Sequence, residues 1–160
     1  METTPVAESM LVIRLAERGD IAGLLRIYRD LIPEDPELSV EAAGMHFDAL
    51  VRIPGSAVHI GVLNDNIVST CTLIVIPNLT RGGQPYALIE NVVTAAEHRG
   101  RGYGRQTLLH AVSSAWKHGC YKVMLLTGSS KPETLGFYQS AGFEQNKTGF
   151  QIRRIAPRAD

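Results

Sequence analysis

Three observations predict a mixed α+β fold in a single domain. The chain has 160 residues, which is about the length of one domain. Short β-branched or alternating runs are interspersed with segments whose apolar residues recur at helical spacing. Hydrophobic residues make up 44% and charged residues 20%, which is typical of a globular protein and not of a disordered or coiled-coil chain. We expect one domain over residues 10–155, with a flexible N-terminus at 1–9 and a C-terminal tail at 156–160.

The first part of the chain is predicted to form a strand followed by two helices. Residues 10–15 alternate weakly, as in a strand, and residues 21–28 carry apolar side chains at helical spacing. Two prolines in residues 32–36 end the first helix. Ser39 is placed to cap a second helix that runs to about Val51, because its side chain can accept a hydrogen bond from the first turn.

A hairpin and a central strand are predicted next. Residues 57–63 and 67–76 are apolar and rich in β-branched side chains, and the polar turn Asn64-Asp65-Asn66 joins them. Residues 86–94 are apolar on both faces, as expected of a strand that is covered on each side. Glu90 is the exception within this strand.

The remaining elements are a long helix, a strand, a short helix and a final strand. The long helix begins at Gly104 and ends near His118, with one apolar face made of Leu108, Leu109, Val112, Ala115 and Trp116. Residues 122–127 form a short strand, parallel to the central one because a helix connects them. Residues 132–140 read as a helix with proline in its first turn, and residues 149–155 as a last strand.

Charge and composition exclude several classes of protein. Lys and Arg total 16 and Asp and Glu total 16, so the chain lacks the basic field of a nucleic-acid binder. Residues 1–9 do not resemble a secretion signal, and every apolar run is too short to cross a bilayer, so we expect a cytoplasmic protein. Cys71 and Cys120 are expected to be reduced core residues, and the five scattered histidines indicate no metal site.

The turn between the central strand and the long helix carries the strongest functional signal. It reads Arg99-Gly100-Arg101-Gly102-Tyr103-Gly104-Arg105. Glycines let the backbone approach a ligand, the helix N-terminus offers N–H groups to an anion, and the arginines add positive charge. We interpret the turn as a pyrophosphate cradle; the alternative is a tight turn with solvated arginines. Its spacing matches neither the dinucleotide fingerprint nor the P-loop.

Two motifs resemble those of the GNAT superfamily of acyl-CoA-dependent N-acetyltransferases. They are Arg99-x-x-Gly102-x-Gly104 and Gly136-Phe137-Tyr138 followed by Ala141-Gly142-Phe143. The resemblance implies a central mixed, mostly antiparallel sheet, splayed between its fourth and fifth strands, with helices on both faces. It also implies acetyl-CoA as cosubstrate, no metal, a small-molecule amine as acceptor, and a homodimer.

Within the superfamily the chain is most similar to the glucosamine 6-phosphate N-acetyltransferases. The similar segments are residues 88–93, 119–122 and 151–153. In that subfamily Asp usually follows the strand glutamate, whereas this chain has Asn91, and residues 129–135 lack the usual Asn. The acceptor is therefore open among this sugar phosphate, a protein N-terminus or lysine, a polyamine and an antibiotic. A further alternative is a module that binds acyl-CoA without turnover.

The resemblance assigns roles to residues of two segments. Coenzyme A would contact the residues Val92, Val93, Thr94, Arg99, Gly100, Arg101, Gly102, Tyr103, Gly104 and Arg105. Its pantetheine arm would pair with the central strand as an added strand. By family analogy, Arg26, Tyr28, Arg29 and residues 32–36 would supply part of the acceptor pocket.

The chemistry of acyl transfer points to two catalytic side chains. A carboxylate in an apolar strand is costly, so we expect Glu90 either to have a partner or to have a raised pKa that makes it a better base. Glu90 would hold the acceptor ammonium together with Asn91 and take its proton, and Tyr138 would face the leaving thiolate. The alternatives are an edge-facing or salt-bridged Glu90 and a core aromatic role for Tyr138.

Overall fold

The computed structural model describes residues 10–156. The regular elements in this range are β1 (Val12–Leu15), α1 (Ile21–Leu31), α2 (Val40–Val51), β2 (Ala57–Leu63), β3 (Asn66–Ile76), β4 (Tyr86–Thr94), α3 (Tyr103–Lys117), β5 (Val123–Leu125) and α4 (Pro132–Ser140). The expected flexible residues 1–9, and all but the first residue of the expected tail, lie outside the described residues. None of the helices in the described range is long and apolar enough to cross a membrane.

Contacts divide the chain into two compact units. The first ends at Leu125 and contains the whole sheet with α1, α2 and α3, and the second begins at Leu126 and contains α4. The expectation of one continuous domain over residues 10–155 stays a prediction.

The five strands form one sheet in the order β1-β2-β3-β4-β5. All neighbouring strands are antiparallel except β4 and β5, which are parallel. The predicted hairpin is confirmed, since Leu63 pairs with Asn66 around a two-residue turn. Asn64 and Asp65 have φ values of 48° and 61°, the left-handed conformation that a tight hairpin turn needs.

Helices cover both faces of the sheet, as predicted. On one face Leu24 of α1 packs with Val58 and Ile60 of β2. On the other face the side chain of Thr107 in α3 lies 2.6 Å from the hydroxyl of Ser69 in β3. Successive strand residues point to opposite faces, so β2 and β3 supply both layers of the core.

The predicted helix ends are largely confirmed. The Ser39 hydroxyl accepts a hydrogen bond from the N–H of Ala42 at 3.1 Å, so it caps α2. Pro132 is at the start of α4, where its missing N–H costs nothing. Trp116, which was expected on the apolar face of α3, is 51% exposed.

Cys71 and Cys120 are buried free thiols, as predicted. Burial raises the pKa of the Cys71 thiol. No group of three or more His, Cys, Asp or Glu side chains within residues 10–156 is arranged to hold a metal ion.

Two strand predictions need correction. The expected strand over residues 122–127 is limited to Val123–Leu125, and the expected final strand over residues 149–155 is wrong. Residues 149–155 have no regular structure, and Phe150 and Ile152 are 93% and 100% exposed. A β-strand is stable only when its backbone is paired, and the apolar spacing of a segment does not provide that partner.

Candidate active site

The first feature of the site is the unequal length of β4 and β5. Their parallel pairing is limited to Ala87–Val123, Leu88–Met124 and Ile89–Leu125. β4 runs five residues further, to Thr94, after β5 has ended. On its β3 side, this extension is still paired through Val93 and Thr94. The predicted splay between the fourth and fifth strands is therefore confirmed.

The second feature is a bulge in β4 at Asn91. Glu90 pairs with Thr72, and Val93 pairs with Thr70. The chain therefore advances three residues on β4 where it advances two on β3, so β4 has one extra residue. Asn91 has a φ of 52°, a left-handed conformation that Asn tolerates better than most residues. A bulge interrupts the alternation of a strand and leaves backbone groups unpaired. Here it turns Asn91 toward a cavity on the α1 side of the sheet.

The third feature is the glycine turn that leads into α3. Gly100 and Gly102 have φ values of 75° and 79°, which glycine adopts without strain. A Cβ added at either position would meet no atom within 4 Å beyond its chain neighbours, so the space in front of the turn is open. The backbone N–H of Gln106 donates to the Gly102 carbonyl at 3.0 Å, so the N–H groups of Tyr103 and Gly104 precede the first N–H donor of the helix.

Contacts from other elements hold this turn in place. The Asp30 carboxylate of α1 accepts a hydrogen bond from the N–H of Ala96 at 3.0 Å. The Arg99 guanidinium donates to the Thr94 carbonyl at 3.2 Å, while Arg101 is exposed. The open glycines, the helix N-terminus and the arginines together fit a pyrophosphate group.

A cavity of about 470 Å³ lies between α1, α2 and the strands. Its strand floor contains Thr72 and Asn91, and α1 contributes Tyr28 and Arg29. The other lining residues are Ile21, Leu24, Leu25, Leu31, Ile32, Asp35, Pro36, Glu37, Leu38, Ala43, His46, Phe47, Leu50 and Val58. The cavity is thus a pocket at the β4 bulge with a volume suited to a small organic molecule.

The polar groups of the cavity are mostly neutral or paired. Arg29 and Glu37 form an exposed ion pair at 3.3 Å, which joins α1 to the loop before α2. Burial raises the pKa of Tyr28, and hydrogen bonds with Thr72 and Thr70 partly offset that effect. Tyr28 is therefore an uncharged hydroxyl beside the strand floor over the physiological range of pH.

The structure places the predicted acceptor residues in different locations. Asn91, Tyr28 and Arg29 line the cavity, whereas Arg26 lines a separate cavity near Ala95 and His98. Glu90 is exposed, so the expectation of a costly carboxylate inside an apolar strand is wrong. The bulge is the physical reason, because it follows Glu90 directly and β5 does not extend alongside it. Because Glu90 is paired with Thr72, which lines the cavity, both side chains lie on the same face of the sheet.

The residues predicted to contact coenzyme A differ in how far their side chains are exposed. Val93 is 5% exposed and packs against Ile27, so its side chain is not available for a ligand contact. Gly104 is buried at the start of α3, and the ring of Tyr103 lies 6.1 Å from that of His98. Arg99, Arg101 and Arg105 are exposed, as are Gly100 and Gly102 between them.

Tyr138 belongs to the second unit. Its ring lies 5.0 Å from that of Phe137 and 6.3 Å from that of Phe143, both in edge-to-face geometry. These contacts match the packing role considered as the alternative for Tyr138. Its role toward a thiolate stays a prediction.

Sequence reasoning missed the α2 side of the cavity. His46, Phe47 and Leu50 line it, as does Thr72 of β3. The apolar spacing of Phe47 and Leu50 predicts a buried helix face. Such a face ordinarily packs against other core side chains and leaves no cavity. Only the packing of α1 against α2 shows that space remains between them.

Comparison with known proteins identifies the family of this chain. A sequence model described as the acetyltransferase (GNAT) family matches residues 21–143. A glucosamine 6-phosphate N-acetyltransferase of Trypanosoma brucei brucei is 30% identical over 144 residues, covering 89% of this chain and 95% of that protein. Glucosamine 6-phosphate N-acetyltransferase 1 of Oryza sativa subsp. japonica is 31% identical over 82% of this chain and 79% of its own length.

A solved structure from Agrobacterium tumefaciens str. C58, assigned as an acetyltransferase, has 51% identity and a TM-score of 0.85. The match covers 89% of this chain and 99% of that one. The chain therefore belongs to the GNAT acetyltransferase family, and it is an acetyl-CoA-dependent acyltransferase.

Proposed function

We propose that this protein transfers the acetyl group of acetyl-CoA to the primary amine of a small molecule, by direct attack in a ternary complex. The observation that carries this proposal is the open edge of β4 beyond Ile89, which leads directly to the glycine turn at the start of α3. The names of the similar proteins make glucosamine 6-phosphate the first acceptor to test.

The donor would bind along the β4 edge and the glycine turn. Backbone groups of Val92, Val93 and Thr94 would pair with the amides of the pantetheine arm, as an added strand does. The segment 99–105 would hold the pyrophosphate through backbone N–H groups and guanidinium charge. The open space in front of Gly100 and Gly102 supports this arrangement.

Glu90 and Asn91 would act on the acceptor side. The attacking nitrogen must lose a proton to become nucleophilic, and Glu90 would take it directly or through one water molecule. Its exposure favours the route through water. Asn91, which lines the cavity, would hold the amine at the bulge.

The remaining chemistry concerns two developing negative charges. As the nitrogen–carbon bond forms, the carbonyl oxygen becomes an oxyanion, and a backbone N–H at Val92 or Val93 would stabilise it. When the carbon–sulfur bond breaks, the thiolate would receive a hydrogen bond from Tyr138. A phenol is a weaker acid than a thiol, so a hydrogen bond is favoured over full proton transfer.

Release of the thiol from acetyl-CoA in the presence of glucosamine 6-phosphate tests this proposal. Glu90→Gln and Tyr138→Phe should each lower kcat at least about tenfold if they act as base and thiolate partner. Calorimetric affinity for coenzyme A is the control and should stay unchanged in Glu90→Gln. Unchanged turnover in both variants would reject the assigned roles. Coenzyme A binding without a product from any amine of a mixed library would instead favour a non-catalytic binding module.

The proposal also includes a cytoplasmic location and a homodimer. The buried free thiols Cys71 and Cys120 are consistent with a reducing compartment. Sedimentation of the purified chain measures its oligomeric state, and a monomer at micromolar concentration would contradict the homodimer.

A further inference from the structure

The cavity between α1 and α2 differs from what a sugar phosphate requires. Resting on the proposed function, we propose that the acceptor is a primary amine with an apolar body, such as an arylalkylamine, and that it carries no anionic group. The side chains and charges that line the cavity support this inference, whatever acceptors the similar proteins use.

Most of the wall of the cavity is hydrocarbon. The lining includes Leu24 and Leu25 of α1, Phe47 and Leu50 of α2, and Val58 of β2. Leu24 and Val58 are 4% and 3% exposed, so this wall is continuous with the core. A hydroxyl-rich sugar ring would leave its polar groups without partners against such a wall, whereas an aromatic or branched alkyl group would gain from burial.

The charges at the cavity do not favour a phosphate. Among the described lining residues the permanent cation is Arg29, and Glu37 already pairs with it at 3.3 Å. Asp35 adds a second carboxylate to the lining. A phosphate dianion needs several unpaired donors or cations, and the guanidinium of this lining is already paired with Glu37. A ligand whose charge is a single ammonium has no need of such a cation cluster.

The neutral polar groups are gathered at the strand floor. Tyr28, Thr72 and Asn91 line the part of the cavity next to the β4 bulge, where the thioester would be presented. These groups can accept hydrogen bonds from an amine without adding charge. A molecule with its amine at the floor and its apolar body between α1 and α2 would therefore place polar atoms against polar groups and hydrocarbon against hydrocarbon.

Steady-state thiol release with three amines tests the inference. 2-Phenylethylamine, glucosamine and glucosamine 6-phosphate separate the effect of the apolar body from that of the phosphate. We expect kcat/KM for 2-phenylethylamine to exceed that for glucosamine 6-phosphate at least about tenfold, which is the factor that 1.4 kcal/mol of differential binding gives. A higher kcat/KM for glucosamine 6-phosphate would overturn the inference and leave the proposed function standing.

A pair of matched variants locates the effect in the cavity. Leu25→Gln places a polar side chain in the half-buried wall, and Leu79→Gln makes the same change at a fully exposed loop position. Leu25→Gln should lower kcat/KM for 2-phenylethylamine at least about fivefold through lost apolar burial, and Leu79→Gln should not change it. Equal values for the two variants would overturn the inference.

Calorimetry separates failure of the inference from failure of the proposed function. With the protein saturated by coenzyme A, 2-phenylethylamine should bind to the parent chain and more weakly to Leu25→Gln. Binding of this kind without product from any amine would overturn the proposed transferase activity while supporting the assigned occupant. Absence of 2-phenylethylamine binding, together with acetylation of another amine, would overturn the inference alone.

Discussion

The Nδ1 atoms of His59 and His110 lie 2.8 Å apart between the sheet and α3. One ring must donate and the other accept, so the pair requires at least one neutral imidazole. His59 is fully buried, and its Nε2 atom has no hydrogen-bond partner among the described residues. Burial, and secondly the neighbouring His110, lower the pKa of His59 from 6.5 to about 4.

This pair predicts a loss of stability in mild acid. Below pH 6.5 the unfolded chain binds a proton at His59 that the folded chain excludes until about pH 4. The free energy of unfolding should therefore fall as pH drops through this window, by about 3 kcal/mol in total from this group. Burial also lowers the pKa of His110, which acts in the same direction.

Urea denaturation at several pH values between 7.5 and 4.5 measures this dependence. His59→Gln should flatten the slope, whereas His46→Gln, at an exposed position on α2, should keep it. Should His59→Gln fail to fold, an NMR titration of the parent chain provides the same check. An imidazole of His59 that titrates near pH 6.5 would contradict the prediction.

We expect a side chain at Gly102 to lower the stability of the protein, because of the backbone conformation at this position. Its φ of 79° is left-handed, so Gly102→Ala should lower the free energy of unfolding by about 1–2 kcal/mol, although no atom obstructs the new Cβ. Gly19→Ala is the control, since Gly19 has equally open surroundings and no left-handed φ. Urea denaturation compares the two, and equal stability would argue against strain at the turn.

Asn91 should tolerate glycine better than valine. At a φ of 52° a β-branched side chain meets the backbone, so Asn91→Val should be about 1–2 kcal/mol less stable than Asn91→Gly. Asn91 is exposed, so lost core packing does not contribute to the difference in stability between the two variants. Thermal denaturation of both variants measures the difference. A valine variant as stable as the glycine variant would show that the bulge relaxes.

Arg101 should contribute to coenzyme affinity if the glycine turn holds a pyrophosphate. Arg101→Gln should raise the Kd for coenzyme A about three- to tenfold at low salt, because an exposed charged contact contributes about 1 kcal/mol. Arg52→Gln, exposed at the end of α2, should leave the Kd unchanged. Calorimetry at two salt concentrations measures both variants. An unchanged Kd for Arg101→Gln would place the phosphate contacts elsewhere.

The coenzyme side of the site could be predicted from the sequence because local features create it. A strand followed by closely spaced glycines, arginines and a helix already defines an anion site, since each part lies within a few residues of the next. The structure adds the left-handed conformation of Gly100 and Gly102. The acceptor side brings together α1, α2, β3 and β4, which are far apart in the chain, and the sequence shows little of it.

The sequence by itself determined the order of the elements from β1 to α4, the hairpin turn, the Ser39 cap and the family motifs, because each depends on the chemistry of neighbouring residues. The tertiary structure alone decided that β5 ends beside Ile89, that Glu90 is exposed, and that His59 meets His110. Each of these depends on which surfaces remain uncovered when separate segments pack. Residue spacing along one segment contains no information about its distant neighbours.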